Sequence, residues 1–166
     1  MYIRLSRNDD KEQIRILMRL CFGERKEDKV FDNLQGRYLL AFENGQLIGM
    51  TGLYYSDEYK AYEMDWTCTR PEYRHKGIMH ELFRRICSFT DEDIYCSCWR
   101  LNGNEQVNLH SLMRDFGFKE VVRNRVSWQR PYNCKDDFYC VNCSGDECRC
   151  YEDLYIRCNK HRNLKE

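Results

Sequence analysis

The hydrophobic and polar positions at the start of the chain predict a strand and then an amphipathic helix. Tyr2 to Leu5 alternates as a short strand does. Asp9 or Asp10 is a suitable N-cap for the helix that follows. The apolar residues of this helix recur at helical spacing on one face: Ile14, Leu17, Met18 and Cys21.

A hairpin is the next predicted element. Two apolar runs in the stretch RYLLAFENGQLIGMTGLYY are joined at Asn44-Gly45. Both of these residues tolerate positive φ, so the dipeptide favours a tight turn between antiparallel strands. The segment from Ala61 to Thr69 is rich in aromatic and β-branched residues and predicts a further strand that ends at Pro71.

Helices and strands alternate in the second half of the chain. A helix is predicted after Gly77, since Ile78, Leu82, Phe83 and Ile86 recur at helical spacing. Further elements are a strand over 93–99, a helix over 105–116 and a final strand over 118–128. The order is strand, helix, three strands, loop, helix, strand, helix, strand, which predicts an α/β fold.

Charge and length exclude several classes of protein. The chain has 166 residues, typical of one domain, with 27 basic and 27 acidic side chains. This balance argues against nucleic acid or an anionic membrane as partner, because proteins that bind either of them usually carry a large excess of positive charge. No run of about 18 apolar residues occurs, and the start lacks the apolar region of a signal peptide. We therefore expect a cytoplasmic protein with neither partner.

The local charge is different in the stretch RPEYRHKG, which leads into the helix after Gly77. The first backbone N–H groups of a helix have no intrahelical acceptor, and the helix dipole is positive there. Placing Arg74, His75 and Lys76 beside them suits an anion such as a diphosphate held by backbone amides. A solvated basic turn is the alternative, and this loop alone does not decide between the two.

The segment from Arg74 to Met79 resembles the signature of the GNAT superfamily of N-acetyltransferases, which reads Arg or Gln, two residues, Gly, one residue, Gly or Ala. Met79 departs from the small residue of that pattern. Pro71-Glu72-Tyr73 and the stretch 115–118, DFGF, resemble two further landmarks, and the resemblance covers roughly residues 2–130. It implies a central mixed, mostly antiparallel sheet flanked by helices.

The resemblance implies an N-acetyltransferase that moves an acetyl or other acyl group from acetyl-CoA to an amine by direct attack. The pyrophosphate is expected on the loop amides and the pantetheine arm along the strand before it. The expected cofactor-binding residues are Thr67, Cys68, Thr69, Arg74, His75, Lys76, Gly77, Ile78, Met79, Asn102, Asn104 and Gln106. We expect the protein to act as a monomer or homodimer.

A base is required because an amine with a pKa of about 10.4 is protonated at neutral pH, and exposing its lone pair costs about 4 to 5 kcal/mol. Glu63 lies eleven residues before Arg74. Some family members have a glutamate at this distance from the loop, and it deprotonates the amine. Asp65 shares its face by strand alternation. A carboxylate pair can raise one pKa toward the working range. The alternatives are two acidic residues on a half-exposed strand, or groups that hold a cationic substrate.

This chain differs from the family pattern at the position where many members have a general acid. Many members have a tyrosine that protonates the CoA thiolate where this chain has Met113. His110, about one helical turn earlier, is the candidate substitute, and a surface or packing role is the alternative. A CoA thiol is acidic enough to leave without a dedicated acid.

The C-terminal residues 131–166 form a cysteine-rich extension to the predicted acetyltransferase domain over 1–130. Six of the eleven cysteines of the chain lie in it. Zinc is predicted here, with Cys140, Cys143, Cys148 and Cys150 as its ligands. Reduced thiols packed against tyrosines, or a redox-sensitive segment, are the alternatives.

A second class of function stays open: a non-catalytic acyl-CoA-binding module, or a zinc-stabilised interaction or regulatory module on the same fold. The departures at Met79 and Met113 keep it open. The acceptor is not encoded in a readable pattern, because loops form acceptor pockets in this fold. Polyamines, amino sugars, amino acids, peptide N-termini and lysines are all compatible with the sequence.

Overall fold

A computed structural model describes residues 1–25, 34–57, 59–101, 103–125, 138–140 and 150–158. The helices among them are α1 (Lys11–Phe22), α2 (Ile78–Ile86) and α3 (His110–Asp115), with 3-10 turns at Asn8–Asp10 and Pro71–Tyr73. The strands are β1 (Tyr2–Leu5), β2 (Gly23–Arg25), β3 (Tyr38–Glu43), β4 (Gln46–Ser56), β5 (Ala61–Thr69), β6 (Ile94–Arg100), β7 (Lys119–Arg125), β8 (Phe138–Cys140) and β9 (Tyr151–Arg157).

The central sheet has seven strands in the order β1-β3-β4-β5-β6-β9-β7. Neighbouring strands are antiparallel except for β5 and β6, which are parallel. The predicted mixed, mostly antiparallel α/β fold is confirmed. The predicted turn at Asn44-Gly45 is also confirmed, with φ of 51° and 78° at its two residues.

The start of the third helix differs from the prediction. The third helix begins at His110 and not at residue 105, since its first bonds run from His110 N–H to Val107 O and from Met113 N–H to Leu109 O. The strand predicted over 118–128 corresponds to β7, Lys119–Arg125, and residues 126–128 lie outside the described residues.

Along the chain, β7 is not the final strand of the central sheet, and that prediction is wrong. β9 lies within the cysteine-rich extension and inserts between β6 and β7. Tyr155 of β9 is opposite Cys96 on one side and Glu120 on the other. The domain boundary at residue 130 stays a prediction, but it does not coincide with the end of the central sheet.

A second, two-stranded sheet links the beginning of the chain to the extension. Gly23–Arg25 directly follows α1 and pairs antiparallel with Phe138–Cys140. The segment after α1 and the extension are therefore joined by backbone hydrogen bonds.

The two faces of the central sheet carry separate hydrophobic cores. One packs against α2 and includes Leu39, Ile48, Met64, Ile78, Leu82, Phe83, Cys96, Met113 and Tyr155. The other packs against α1 and includes Ile14, Leu17, Met18, Tyr38, Leu40, Phe42, Met50 and Cys68. These are called below the α2 face and the α1 face. Among the described residues, no helix combines the length and apolarity that crossing a membrane requires.

Candidate active site

The parallel strands β5 and β6 separate along their length and leave a gap in the sheet. Their pairing runs from Tyr62 opposite Ile94 to Met64 opposite Cys96. Beyond this point, β5 continues to Thr69 and β6 to Arg100 with no further pairing between these described segments. Each strand pairs with its other neighbour instead, β5 with β4 and β6 with β9. The backbone edges that face the gap are thus available to a bound molecule.

A β-bulge in β5 changes the direction of the side chains at this gap. The β4–β5 register shifts between the pairs Gly52 with Asp65 and Met50 with Cys68. Trp66 lies in the bulge and has a φ of 47°, which is unusual for a non-glycine residue. As a result Asp65 and Trp66, although adjacent in sequence, both contact groups on the α1 face.

Asp65 is a buried carboxyl with few partners. Its side chain is 15% exposed, and its Oδ2 accepts a hydrogen bond from Arg37 Nη2 at 3.4 Å. Its Oδ1 is buried without a hydrogen-bond partner among the described residues. Burial raises the pKa of Asp65 to about 7, because the nearby positive charge of Arg37 offsets only part of the desolvation. The negative charge of Glu63 raises this pKa further.

Glu63 lies on the same face as Asp65, as the alternation of strand side chains predicted. Tyr54, opposite Glu63 in β4, donates a hydrogen bond from its hydroxyl to Glu63 Oε2 at 2.6 Å. Burial and this hydrogen bond raise the pKa of Tyr54 well above its usual value. The phenol is therefore a stable donor that orients the Glu63 carboxylate.

Arg37 was missed by the sequence analysis. Its Cζ lies 5.4 Å from the ring centroid of Tyr38 and 5.7 Å from that of Tyr54, next to Asp65. No motif marks a single arginine just before a strand. Its place in the site depends on the pairing of β3 with β4 and of β4 with β5.

Aromatic side chains stand on two sides of the acidic residues. Phe22, the last residue of α1, packs edge-on against Trp66 with ring centroids 5.6 Å apart. Tyr95 is beside Glu63 across the β5–β6 pairing and stacks on Tyr59 at 4.7 Å. Both members of the acidic pair thus have an aromatic neighbour, Trp66 next to Asp65 in the chain and Tyr95 next to Glu63 across the two strands.

The basic loop follows the end of β5 and enters α2. His75 and Gly77 both have positive φ, of 62° and 76°, so the backbone turns sharply here. The N–H groups of residues 75–77 have no acceptor among the described residues, and the first helical bond runs from Glu81 N–H to Gly77 O. The loop therefore presents a series of unpaired donors at a helix N-terminus.

The basic side chains of this loop are solvent-exposed. Arg74 Nε donates to the Thr69 carbonyl at 3.4 Å, and Lys76 Nζ lies 4.6 Å from the ring centroid of Tyr73. No described atom other than those of its chain neighbours lies within 4 Å of the position that a Cβ at Gly77 would take, so the backbone there is open to a ligand. The structure brings Arg74, His75, Lys76 and Gly77 together as predicted, with positive charge next to the unpaired donors.

The end of β5 also contacts α1 through two cysteines. Cys21 Sγ donates to the Thr69 carbonyl at 3.4 Å, the same oxygen that Arg74 approaches. A hydrogen bond from Cys68 and the nearby Arg74 charge hold the pKa of Cys21 below its usual value, while burial raises that of Cys68. The side chain of Cys68 thus lies in the core of the α1 face, while its backbone belongs to the part of β5 that faces the gap.

The other predicted cofactor residues are dispersed. Thr67 Oγ1 lies 2.8 Å from Thr51 Oγ1. Asn104 and Gln106 are exposed in the connection between β6 and α3, and Asn104 donates its amide N–H to Leu101 O. Asn102 lies outside the described residues.

His110 lies on the opposite face of the sheet from Glu63. Its Nδ1 is 3.3 Å from the hydroxyl of Tyr155, which donates to Glu120 Oε2 at 3.1 Å. Tyr155 is opposite Cys96, and both belong to the core of the α2 face. Since Glu63 and Met64 alternate, Glu63 points to the α1 face, and the structure does not bring His110 to it.

The predicted zinc ligands are only partly described. Cys140 ends β8, and Cys150 is buried directly before β9. Cys143 and Cys148 lie outside the described residues. Within the part of the chain that the structure describes, no group of three or more histidine, cysteine, aspartate or glutamate side chains is arranged to hold a metal.

Comparison with known proteins gives a family match. Residues 9–118 match the model of the acetyltransferase (GNAT) family. No curated protein matches the chain significantly.

Solved acetyltransferase structures share the fold at low sequence identity. The ribosomal-protein-S18-alanine N-acetyltransferase from Escherichia coli has a TM-score of 0.65 and 15% identity, with 99% of each chain covered. An aminoglycoside 6′-N-acetyltransferase complexed with coenzyme A has a TM-score of 0.64 and 13% identity, covering 95% of this chain and 96% of the other. Naa50 from Arabidopsis thaliana, in complex with the bisubstrate analogue CoA-Ac-MVNAL, has a TM-score of 0.61 and 20% identity, covering 92% and 96%.

Proposed function

The chain belongs to the acetyltransferase (GNAT) family, and on this basis we propose that it transfers an acetyl or other small acyl group from acyl-CoA to an amine by direct attack. The observation that carries the proposal is the β5–β6 gap, which has the basic loop at one end and the acidic pair on the α1 face. A basic loop with unpaired donors, two free strand edges and a carboxylate pair near them together support the proposal.

The basic loop fits the diphosphate of acyl-CoA. The unpaired N–H groups of residues 75–77 and of the first turn of α2 would donate to phosphate oxygens, and the exposed Arg74 and Lys76 would balance their charge. The free edge of β5 after Met64 offers backbone groups to the two amides of the pantetheine arm. Met79, which replaces a small family residue, still supplies its backbone amide.

Glu63 is proposed as the base. It accepts a proton from the acceptor ammonium, directly or through water, and the neutral nitrogen attacks the acyl carbon. The N–C bond forms as the C–S bond breaks, and the thiolate leaves with the electron pair of the C–S bond. The nitrogen then releases its second proton to solvent, which leaves the neutral amide. Tyr54 holds the Glu63 carboxylate through its 2.6 Å hydrogen bond. Asp65 is proposed to act beside it by holding negative charge or a proton next to Arg37.

Water is proposed to protonate the thiolate. His110 contacts Tyr155 on the α2 face, away from Glu63, and its role as general acid stays a prediction. A thiol ionises far more readily than an amine, so its departure as thiolate does not require a positioned acid.

Several predictions from the sequence concern properties other than acyl transfer. Zinc in the extension, a cytoplasmic location, a monomer or homodimer, and the absence of nucleic-acid and membrane partners stay predictions. The zinc prediction has a direct test: protein purified without added metal should contain about one equivalent by elemental analysis, and chelation should lower its Tm. Metal-free protein of equal stability would contradict it.

Release of free CoA thiol tests the proposed function. Acetyl-CoA is incubated with polyamines, amino sugars, amino acids, peptides and lysine-containing proteins, and thiol release is followed together with the mass of the product. A gain of the acetyl mass on one acceptor class supports the proposal. Tight acyl-CoA binding by calorimetry without transfer to any class would instead support the non-catalytic acyl-CoA-binding module.

A further inference from the structure

Arg37 has more hydrogen-bond donors than the described residues use. A guanidinium carries five N–H donors. The described residues supply one side-chain acceptor, Asp65 Oδ2, at the long distance of 3.4 Å. Arg37 Nε is buried and has no acceptor among them. A buried donor without an acceptor is costly, so the described residues by themselves leave the hydrogen bonding of Arg37 incomplete.

The surroundings of Arg37 hold its guanidinium in place while leaving it accessible. The rings of Tyr38 and Tyr54 lie next to it, and its side chain remains 35% exposed. Asp65 neutralises it only in part, because burial keeps that carboxyl partly protonated near pH 7. Arg37 is therefore a fixed, partly exposed cation with more donors than its described partners use.

Tyr54 places this cation next to the candidate base. Its ring lies 5.7 Å from Arg37 Cζ, and its hydroxyl is bonded to Glu63 Oε2 at 2.6 Å. A group that binds cations and a group that binds anions therefore lie against one tyrosine side chain. A ligand with opposite charges a few bonds apart matches this arrangement in position and in sign.

We infer that the acceptor is a free amino acid, whose carboxylate binds Arg37 while its amino group faces Glu63. This inference rests on the proposed function. The planar guanidinium fork accommodates the two oxygens of a carboxylate in a paired arrangement, and Arg37 has the free donors for it. In an α-amino acid one carbon atom separates the nitrogen from the carboxylate, so its two charges lie close together, as Arg37 and Glu63 lie against the same tyrosine side chain.

Three forms of each acceptor test the inference: the L-amino acid, its carboxamide, and the amine that remains when the carboxylate is removed. L-phenylalanine, L-phenylalaninamide and phenethylamine form one such set, and L-lysine, L-lysinamide and cadaverine another. The carboxamide stands for a peptide N-terminus. Values of kcat/KM are compared after correction for the fraction of neutral amine, since the three forms differ in amine pKa.

In the wild-type protein, the amino acid should exceed both other forms in kcat/KM by about 10- to 100-fold, the range expected for a hydrogen-bonded charge pair. Arg37→Gln should reduce this ratio toward one. Arg37→Lys, which keeps the charge but not the fork, should retain part of it. Because each ratio is taken within one protein, a general loss of stability or activity does not imitate the effect.

Arg4→Gln is the matched control. Arg4 also pairs with a buried aspartate, Asp10, at 2.6 Å and lies over an aromatic ring, that of Phe42, but it belongs to the edge strand β1. Its substitution should leave the ratio unchanged. Calorimetry of L-amino acids against CoA-saturated protein gives a readout that does not need turnover, and Arg37→Gln should weaken the binding it detects.

The possible outcomes separate the two proposals. If the carboxamide or the amine reacts as well as every amino acid, the inference is wrong and acyl transfer to amines stands. The same holds if Arg37→Gln keeps the wild-type ratio. If no acceptor of any form releases CoA thiol, the proposed function fails and the inference fails with it.

Discussion

Asp65 occupies the space that a side chain at Gly52 would fill. The two residues are opposite each other in the β4–β5 pairing. A Cβ added to Gly52 would overlap Asp65 Oδ1 and would lie 2.8 Å from two carbons of the Tyr38 ring. The absence of a side chain at Gly52 therefore allows the sheet to hold a buried carboxyl beside the gap.

Gly52→Ala should displace Asp65 and lower both stability and activity. Overpacking of this kind costs about 1 to 3 kcal/mol, and the displaced carboxyl loses its position beside Arg37. Urea unfolding and kcat/KM with the best acceptor measure the two effects. The double variant Gly52→Ala/Asp65→Ala removes the overlapping oxygen and should recover part of the stability without the activity. Unchanged stability in the single variant would show that the strand accommodates the methyl group.

Stability should depend on pH through Asp65. Its pKa is about 7 in the folded protein, against about 3.9 for an unfolded chain. Between these values the folded state binds more protons, so stability should fall as pH rises from about 4 to about 7 and then level off. The slope from one group is at most about 1.4 kcal/mol per pH unit.

Asp65→Asn should remove this slope, measured by urea unfolding at several pH values from about 5 to about 8. Its stability relative to wild type should therefore improve as pH rises. The pKa of Asp10 is lowered by its hydrogen bond with Arg4, so that group destabilises the protein only below about pH 4 and stays outside the window. Parallel pH profiles for the variant and the wild type would mean that Asp65 is ionised throughout this range.

Glu63→Gln tests the base. Glutamine keeps the shape and can still meet the Tyr54 hydroxyl, but it does not accept a proton, so kcat/KM should fall by about 10²- to 10⁴-fold near neutral pH. The loss should shrink at high pH, where the amine deprotonates without help. A glutamate that only holds a cationic substrate would show its defect as a raised KM. Wild-type rates across pH 6 to 9 would exclude Glu63 from proton transfer.

Gly77→Glu tests the basic loop. The substitution adds a side chain and a negative charge where we propose that the diphosphate approaches the backbone, and calorimetry should detect no acetyl-CoA binding. Gly45→Glu is a matched control, because Gly45 has nearly the same φ, 78° against 76°, and equally open surroundings. Both variants carry the same backbone strain. Equal affinity in the two variants would place the diphosphate elsewhere.

A chain that ends at residue 130 should not fold. It lacks β9, which pairs with both β6 and β7, so two strands of the central sheet lose a partner. A chain that ends at residue 158 keeps β9 and should retain the circular dichroism spectrum and cooperative thermal unfolding of the full chain. Cooperative unfolding of the shorter chain would support residues 1–130 as an independent domain.

Much of the fold was predictable because local patterns determine local structure. The turn at Asn44-Gly45, the strand over Ala61–Thr69 and the helix after Gly77 all follow from short-range spacing and from residues that tolerate positive φ. The loop from Arg74 to Gly77 was found for the same reason, since its donors and charges lie within a few residues of each other.

The place of β9 was not predictable in this way. Its sequence, YEDLYIR, is rich in charged residues, yet Glu152 and Asp153 are 5% and 1% exposed. Asp153 is held by Arg100, whose Nε donates to its Oδ2 at 2.6 Å. Residues far apart in sequence thus compensate the burial of these charges, and no local pattern reveals that.

The sequence alone determined the class of fold, the basic loop and the presence of Glu63 and Asp65 on one face, because strand alternation and helix spacing are short-range properties. Only the tertiary structure decided that Arg37, Tyr54 and Gly52 surround those carboxyls, and that His110 lies on the other face. The physical reason is register: the bulge at Trp66 and the pairing of β3, β4 and β5 set which side chains meet. Register depends on packing across the whole sheet, which the linear sequence does not state.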